Sequence, residues 1–337
     1  MSQSASRYPF ILLVIAVVIS VPLVLGFIGG LSPAFDTLAL FRGHLAVLLV
    51  LLGLPLLFTP LRREGAMIVL FALLALGTTL SATRNLMGEA KSAASAANTQ
   101  TGARYSLVQI NLGGSSTDHK RIMQMIAREK PDFIAYQGAD PSWDKWLTIL
   151  GGSYHYHVDC HNNRIGTGIL SRRPFSEGGE PVCDADGRYA ASRFDLGGTP
   201  VTVASIALDW PWPGRQSEIL QAIAPHLRQI SGPAILAGDF KAAPWSRVLR
   251  QIAHETGTRL MEKDGGTWLP RPLPDSFAPV SGLAIDHVLV SQQIEAPHIW
   301  LRAAAGSSHL PVRLDFSVAP PSPQEEEEAD STTAMLQ

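Results

Sequence analysis

Apolar side chains come in long unbroken blocks through the first 88 residues, and at alternating or helical spacings after residue 104. Phe10 to Gly29 carries no charge, and such a stretch, rising about 1.5 Å per residue, matches a hydrocarbon core of about 30 Å. A second block runs over 37–58, with Arg42 and His44 near its start, where a guanidinium can snorkel to the interface. A third covers 66–82, between Glu64 and Arg84. The pattern predicts a membrane region over 1–88 holding about three transmembrane helices, at about 10–29, 37–58 and 66–82. A cleaved signal peptide is the alternative for the first block. Its length, the lack of an Ala-x-Ala site and the two blocks that follow weigh against that.

Basic residues set the orientation. Arg7 precedes the first block, and Arg62 and Arg63 lie between the second and third. With those ends in the cytoplasm, a multi-pass protein of the cell (inner) membrane carries everything after residue 82 on its periplasmic or extracytoplasmic side. Residues 89–103 (EAKSAASAANTQTGA) lack large apolar side chains and read as a flexible tether. Residues 318–337, proline-punctuated with a Glu325–Glu328 run, read as an acidic disordered tail, solubilising rather than binding.

Between these lies a unit over 104–317 in which strand and helix signals mix. Strands are predicted at Tyr105–Asn111, Phe133–Gln137, Ile165–Ser171, Ala190–Asp195, Val201–Leu208, Ala234–Ala237, Ala284–Val290 and Val312–Phe316. Helices are predicted at Asp118–Lys130, with Asp118 as N-cap and Pro131 as stop, at Gln216–Ile230 and at Ser246–Thr256. Many strands with few helices between them point to a packed pair of sheets with outer helices rather than one parallel sheet.

Composition narrows the classes. Charged residues make up 17% of the chain, below the roughly 25% of soluble domains, which fits the apolar blocks. The unit 104–317 balances 21 basic against 21 acidic residues. It therefore gives no support for the basic face that a nuclease of long polyanions would carry. Two cysteines exclude a disulfide-dense scaffold and a four-cysteine zinc site. Outside the cytoplasm Cys160 and Cys183 can pair; two unpaired buried thiols are the equal alternative. There is no GxxxxGK[ST] and no GxSxG.

Four stretches in order, SLVQIN (106–111), PDFIAYQG (131–138), AILAGDFKAAPWS (234–246) with TW at 267–268, and AIDHVLVS (284–291) with GSSHLPV (306–312), carry a likeness. In that order and spacing the segment resembles the endonuclease/exonuclease/phosphatase superfamily, the DNase I-like fold, and within it the bacterial membrane-anchored members. The resemblance covers essentially all of 104–317. It implies an α/β fold, a four-layer β-sandwich flanked by helices, and cleavage of phosphoesters (phosphodiesters or phosphomonoesters) with Mg²⁺ or Mn²⁺. Carried over residue by residue, Asn111 matches the phosphate-site asparagine, Asp239 the aspartate that orients the nucleophile, and Asp286 with His309 the Asp–His pair.

Other positions depart from the pattern. Gly138 stands where the family has its metal-binding glutamate, Lys241 where GDxN has asparagine, Ser308 where SDH has aspartate, and Ala207 in place of a histidine. With two carboxylates gone and an ammonium added, Asp239 is the best remaining metal ligand. Lys241 either fills the place of the cation beside Asp239 or points to solvent. Two functions follow as expectations: a weak or inactive membrane-anchored phosphoester hydrolase, or a non-catalytic pseudo-enzyme that binds a ligand or protein partner outside the membrane.

His155, His157, Asp159 and His161 alternate, as ligands of zinc or another transition metal would on one strand face. Neighbours two apart stand about 7 Å from each other, however, so a polar solvated face is the competing account. Asp209 and Trp210 in DWPWP either line a cleft or form a rigid packed loop.

Overall fold

The computed structural model describes residues 7–95, 103–114, 117–162, 165–263, 265–270 and 273–318, with the side chains of 80–95 and of 275 left aside. The tail expected over 318–337 therefore lies outside the described residues apart from Val318, which ends a strand.

Helix α1 spans Arg7–Phe27, α2 Pro33–Ala39, α3 Arg42–Leu56 and α4 Arg62–Ser95. Ala16 and Leu23 of α1 bury against Ala46 and Leu49 of α3 and Ala72 and Ala75 of α4. The opposite side of α1 exposes Phe10, Ile11, Val14, Val17, Val18 and Val21. The expectation of about three spans is corrected here. Among the described helices only α1 is long and apolar enough to cross a membrane by itself. The second expected span is broken at Leu40–Phe41, where α2 and α3 meet at 62°, so the number rises to two only if that bent pair counts as one. The third lies inside α4, whose apolar run opens on Arg62, Arg63 and Glu64. Because α4 continues to Ser95, the first half of the expected tether is helical; 96–102 lie outside the described residues.

The remainder forms two six-stranded sheets. Its strands are β1 (Arg104–Asn111), β2 (Phe133–Ala139), β3 (Tyr156–His161), β4 (Gly166–Ser171), β5 (Val182–Cys183), β6 (Tyr189–Asp195), β7 (Pro200–Ala207), β8 (Ala234–Asp239), β9 (Thr258–Leu260), β10 (Asp286–Ser291), β11 (Ile294–Leu301) and β12 (Val312–Val318). Their order is β11-β12-β1-β2-β4-β3 in one sheet and β5-β6-β7-β8-β10-β9 in the other. The pairs β1–β2 and β7–β8 are parallel. Each is crossed by a helix, α5 (His119–Glu129) or α7 (Gln216–Arg228), as a parallel connection requires.

Apolar residues on the inner faces, among them Leu107, Phe133, Ile169, Phe194, Val203, Ile235, Val288 and Leu314, bury one against another between the sheets. Outside, Ile122 and Met125 of α5, with Leu150 of α6 (Asp144–Gly151), cover Val108, Ile110 and Ile134. Ile219, Ile223 and Leu227 of α7 and Ile252 of α8 (Arg247–Thr256) cover Ile206, Leu236 and Leu289. Two mixed sheets flanked by helices thus stand where the alternation placed them. Caps fix the helix ends: Asp118 accepts from the Arg121 amide at 3.2 Å and Ser246 from Leu249 at 3.3 Å. Cys160 on β3 and Cys183 on β5 form a disulfide between edge strands of the two sheets.

Candidate functional site

Five strand ends converge at one end of the sandwich. The C-terminal ends of β1, β2, β7 and β8 bring Asn111, Gly138, Ala207 and Asp239, and antiparallel β10 begins there with Asp286, paired in register with Asp239. The loop before β12 adds His309. Ser307 holds it, accepting from the His309 amide at 3.0 Å while donating to the Asn111 carbonyl at 2.6 Å.

The polar groups are buried and bonded in series. Asn111 donates to Asp239 Oδ2 at 2.7 Å. Asp286 faces His309 Nδ1 with Oδ2 at 2.8 Å, and its Oδ1 accepts from Gln109 Nε2 at 3.0 Å. Gln109 also donates to Gln137, which donates to Ser205 at 2.7 Å. Thr267 accepts the Asp286 amide at 3.2 Å. Burial pushes the Asp286 carboxyl up, but the charge and hydrogen bond of His309 outweigh it and hold Asp286 well below the carboxylate range. An ionised Asp286 fixes the imidazole proton on Nδ1, leaving Nε2 toward Asp239 Oδ2, 3.9 Å away. Burial raises Asp239, the negative Asp286 beside it adds to that, and Lys241 and His309 pull the other way.

Lys241 is inside the site. Its Nζ lies 2.5 Å from Asp239 Oδ2 and 5.2 Å from the centre of the Trp210 ring. Its backbone sits at φ 48°, a left-handed conformation in which asparagine is favoured among non-glycine residues. The structure therefore decides between the two placements: Lys241 pairs with Asp239 and does not point to solvent. Trp210 packs edge-on against Trp268, whose backbone bridges to His309. Asp209 pairs with Arg188 at 3.2 Å beside this wall.

Gly138 occupies a bulge between β2 and β4 at φ 72°. A Cβ there would meet the Gly113 nitrogen at 3.1 Å and Asn111 Oδ1 at 3.2 Å. No side chain of L configuration is comfortable at that position, so the backbone there is closed against the carboxylate that the resemblance would place at 138. Ser308 lies 3.9 Å from where a Cβ on Gly114 would stand, at the rim of the same end. Ala207 is buried opposite Asp239.

The sequence patterns missed the supporting shell. Gln109 follows Leu107 on the core-facing side of β1, two residues before the expected Asn111, and a polar residue at a core position was the available signal. Trp268 and Thr267 were visible only as a dipeptide. The group on and just before β3 does not converge: His155, His157, Asp159 and His161 are exposed. Asp159 accepts from Tyr136 at 2.8 Å, and no metal cluster forms there among the described residues. That is the polar-face outcome.

A family model for the endonuclease/exonuclease/phosphatase family matches residues 108–309, more than half of the chain. The chain belongs to the endonuclease/exonuclease/phosphatase family. No curated protein matches it. Its fold is similar to that of TDP2 from D. rerio, solved with a single-strand DNA product, at 17% identity and a TM-score of 0.52, covering 64% of this chain and 100% of that one. It is also similar to an endonuclease/exonuclease/phosphatase protein from Bacteroides vulgatus at 13% identity and a TM-score of 0.52, covering 64% and 99%.

Members of this family typically depend on a divalent metal. Asp239, Asp286 and His309 are close enough to hold one, with ligand atoms within 4.8 Å of each other. The donor set nevertheless does not fit Mg²⁺ or Mn²⁺ as it stands. Both Asp286 oxygens and Asp239 Oδ2 already accept hydrogen bonds or the Lys241 ammonium. Hard cations want several oxygen ligands, and this group offers two carboxylates and an imidazole.

Proposed function

We propose that this chain is a membrane-anchored phosphoester-binding member of the family, in which the Lys241 ammonium stands in for the cation of the hydrolytic site. One observation carries the reading: Lys241 Nζ at 2.5 Å from Asp239 Oδ2, within the Asp239–Asp286–His309 group that could otherwise hold a metal. A phosphoryl group entering beside Trp210 meets three donors: Lys241 Nζ, the Asn111 amide and, when protonated, His309 Nε2. Charged donors in a buried site bind phosphate oxygens strongly. What is missing is the stabilisation a divalent ion gives to charge developing in phosphoryl transfer. Turnover is accordingly weak or absent, and independent of added metal.

The anchor is α1, whose outward side is a continuous apolar surface. The Cys160–Cys183 disulfide supports placing the domain in an oxidising compartment, outside the cytoplasm. A second reading, hydrolysis, rests on the Asp286–His309 pair: a hydrogen-bonded dyad aimed at the site is what a general acid needs.

Calorimetric titration of the purified full chain in detergent with bis(p-nitrophenyl) phosphate tests the binding. Saturable binding weakened at least tenfold by Lys241→Met supports the reading; no binding, or binding indifferent to Lys241→Met, overturns it.

A further inference from the structure

The segment that follows α1 does not hang free: it packs on the rim of the phosphoester site. Leu40 buries with Ala243, Leu283 and Ile285 beneath Trp210, Trp245 and Trp268. The Trp245 indole donates to the Ala39 carbonyl at 3.1 Å, and Thr37 Oγ1 exchanges hydrogen bonds with both backbone groups of Trp212, at 2.9 and 3.0 Å. Trp210 flanks Lys241 and Trp268 flanks His309, so one layer of indoles separates the anchor segment from the charged groups.

The level of the bilayer can be read from the helices. Arg42, the first residue of α3, donates to the Gly26 carbonyl at the end of α1, at 2.9 and 2.6 Å, and lies over Phe27. The two ends therefore share one level, the domain-side limit of the apolar helices. His44, two residues further into α3, lies 2.8 Å from the Ser281 carbonyl. That contact sets α9 (Ala278–Ser281) beside the first turn of α3, at the interface rather than above it. On and beside α9, Val280 is 91% exposed and Phe277 56%. Exposed apolar residues scattered singly need no explanation, but these two share one short turn that meets the start of α3. The same element is tied to the site at its base, where Trp268 and Leu283 exchange backbone bonds at 3.0 and 2.8 Å.

We propose that Phe277 and Val280 are seated in the surface of the bilayer that holds α1, so that the site receives its phosphoester from a lipid headgroup rather than from solution. The inference rests on the anchor and phosphoester readings above. Aromatic and aliphatic side chains at such a level partition into the headgroup–acyl boundary, and Trp212, exposed where its backbone meets Thr37, suits it as well.

The test uses the full chain in phosphatidylcholine–phosphatidylglycerol vesicles, with an environment-sensitive fluorophore on Val280→Cys, Val17→Cys or Arg128→Cys; the native cysteines are held in their disulfide. Arg128 is exposed at the C-terminal end of α5, away from the site. Nitroxide lipids should quench the probe at 280 at least threefold more than the probe at 128. Equal quenching at 280 and 128, with strong quenching at 17, overturns the proposal while leaving the anchor standing. No quenching at 17 overturns both. Delivery is read with a phosphatidylglycerol bearing a photoreactive headgroup, against the same headgroup as a water-soluble glycerophosphodiester. Roughly tenfold greater labelling near Trp210 and Lys241 by the lipid supports the proposal, and Phe277→Asp/Val280→Asp should remove that advantage. Equal labelling by the two overturns it, and labelling by neither overturns the phosphoester reading as well.

Discussion

Lys241 and Asp239 form an ion pair across 2.5 Å, with the carboxylate side chain only 3% exposed and the lysine 17%. Removing one partner of such a pair strands the other. Lys241→Met should lower the stability of the domain by about 3 kcal/mol, because the buried Asp239 loses its cation and must bind a proton or remain unpaired. Adding Asp239→Asn should recover part of that loss, a coupling of roughly 1–3 kcal/mol. Denaturant unfolding followed by tryptophan fluorescence measures both; strictly additive losses would show that the pair is not coupled.

Gly138 does not readily accept a glutamate. At φ 72°, with a Cβ at 3.1 Å from the Gly113 nitrogen, Gly138→Glu should cost about 2 kcal/mol. It should also fail to create Mg²⁺ binding. Thermal unfolding with and without Mg²⁺ checks this: a variant as stable as the parent and further stabilised by the ion would mean that the bulge opens readily.

The disulfide closes a span of 23 residues between the two sheets. Cys160→Ala/Cys183→Ala should lose about 3 kcal/mol. Thiol labelling of the parent should appear only after reductant, and labelling of the untreated protein would contradict the bridge.

A buried histidine facing a half-buried lysine behind the site gives the domain a pH dependence. His287 donates from Nε2 to the Ala242 carbonyl, and its Nδ1 faces Lys263 Nζ at 3.2 Å. Burial, then the charge of Lys263, hold His287 down at about 3, and burial holds Lys263 at about 8. Between pH 6.5 and about 3 the unfolded chain binds a proton that the folded chain refuses, so stability present above 6.5 is lost as pH falls through that window. Lys263 works the same way between about 8 and 10.5, where stability rises with pH. Asp239 acts with the opposite sign in acid, since its raised carboxyl takes up a proton earlier in the folded chain. Because that term is shared with the parent, Asp239 cancels in a comparison with His287→Gln, whose stability should fall less steeply between pH 6.5 and 4.5. Parallel slopes would exclude His287 as the source.

Much of this was legible in the sequence because burial and strand period coincide. YSLVQIN predicts β1, and helix ends follow Asp118, Pro131 and Ser246 to within a residue or two. β11 escaped because IEAPHIWL carries a proline and alternates only in part across an irregular pairing with β12. The second membrane block failed as a single span since composition does not register the turn at Leu40–Phe41, which the Leu40 contact with the domain stabilises. Asn111, Asp239, Asp286 and His309 meet at one end of the sandwich because each sits at or near the end of a strand. The direction in which Lys241 points was not readable: it depends on a left-handed backbone and on the Trp210 ring, neither of which has a signature in GDFK.

The central claim is that an ammonium holds the place of the metal. Its most direct test is bis(p-nitrophenyl) phosphate hydrolysis by the full chain in detergent, with Mg²⁺ or Mn²⁺ titrated against EDTA and with Asp239→Ala and His309→Ala as controls. The account predicts turnover at or near the level of the controls and unchanged by either ion. Metal-dependent turnover abolished by both substitutions would contradict it, and would show that Lys241 yields its place to the cation.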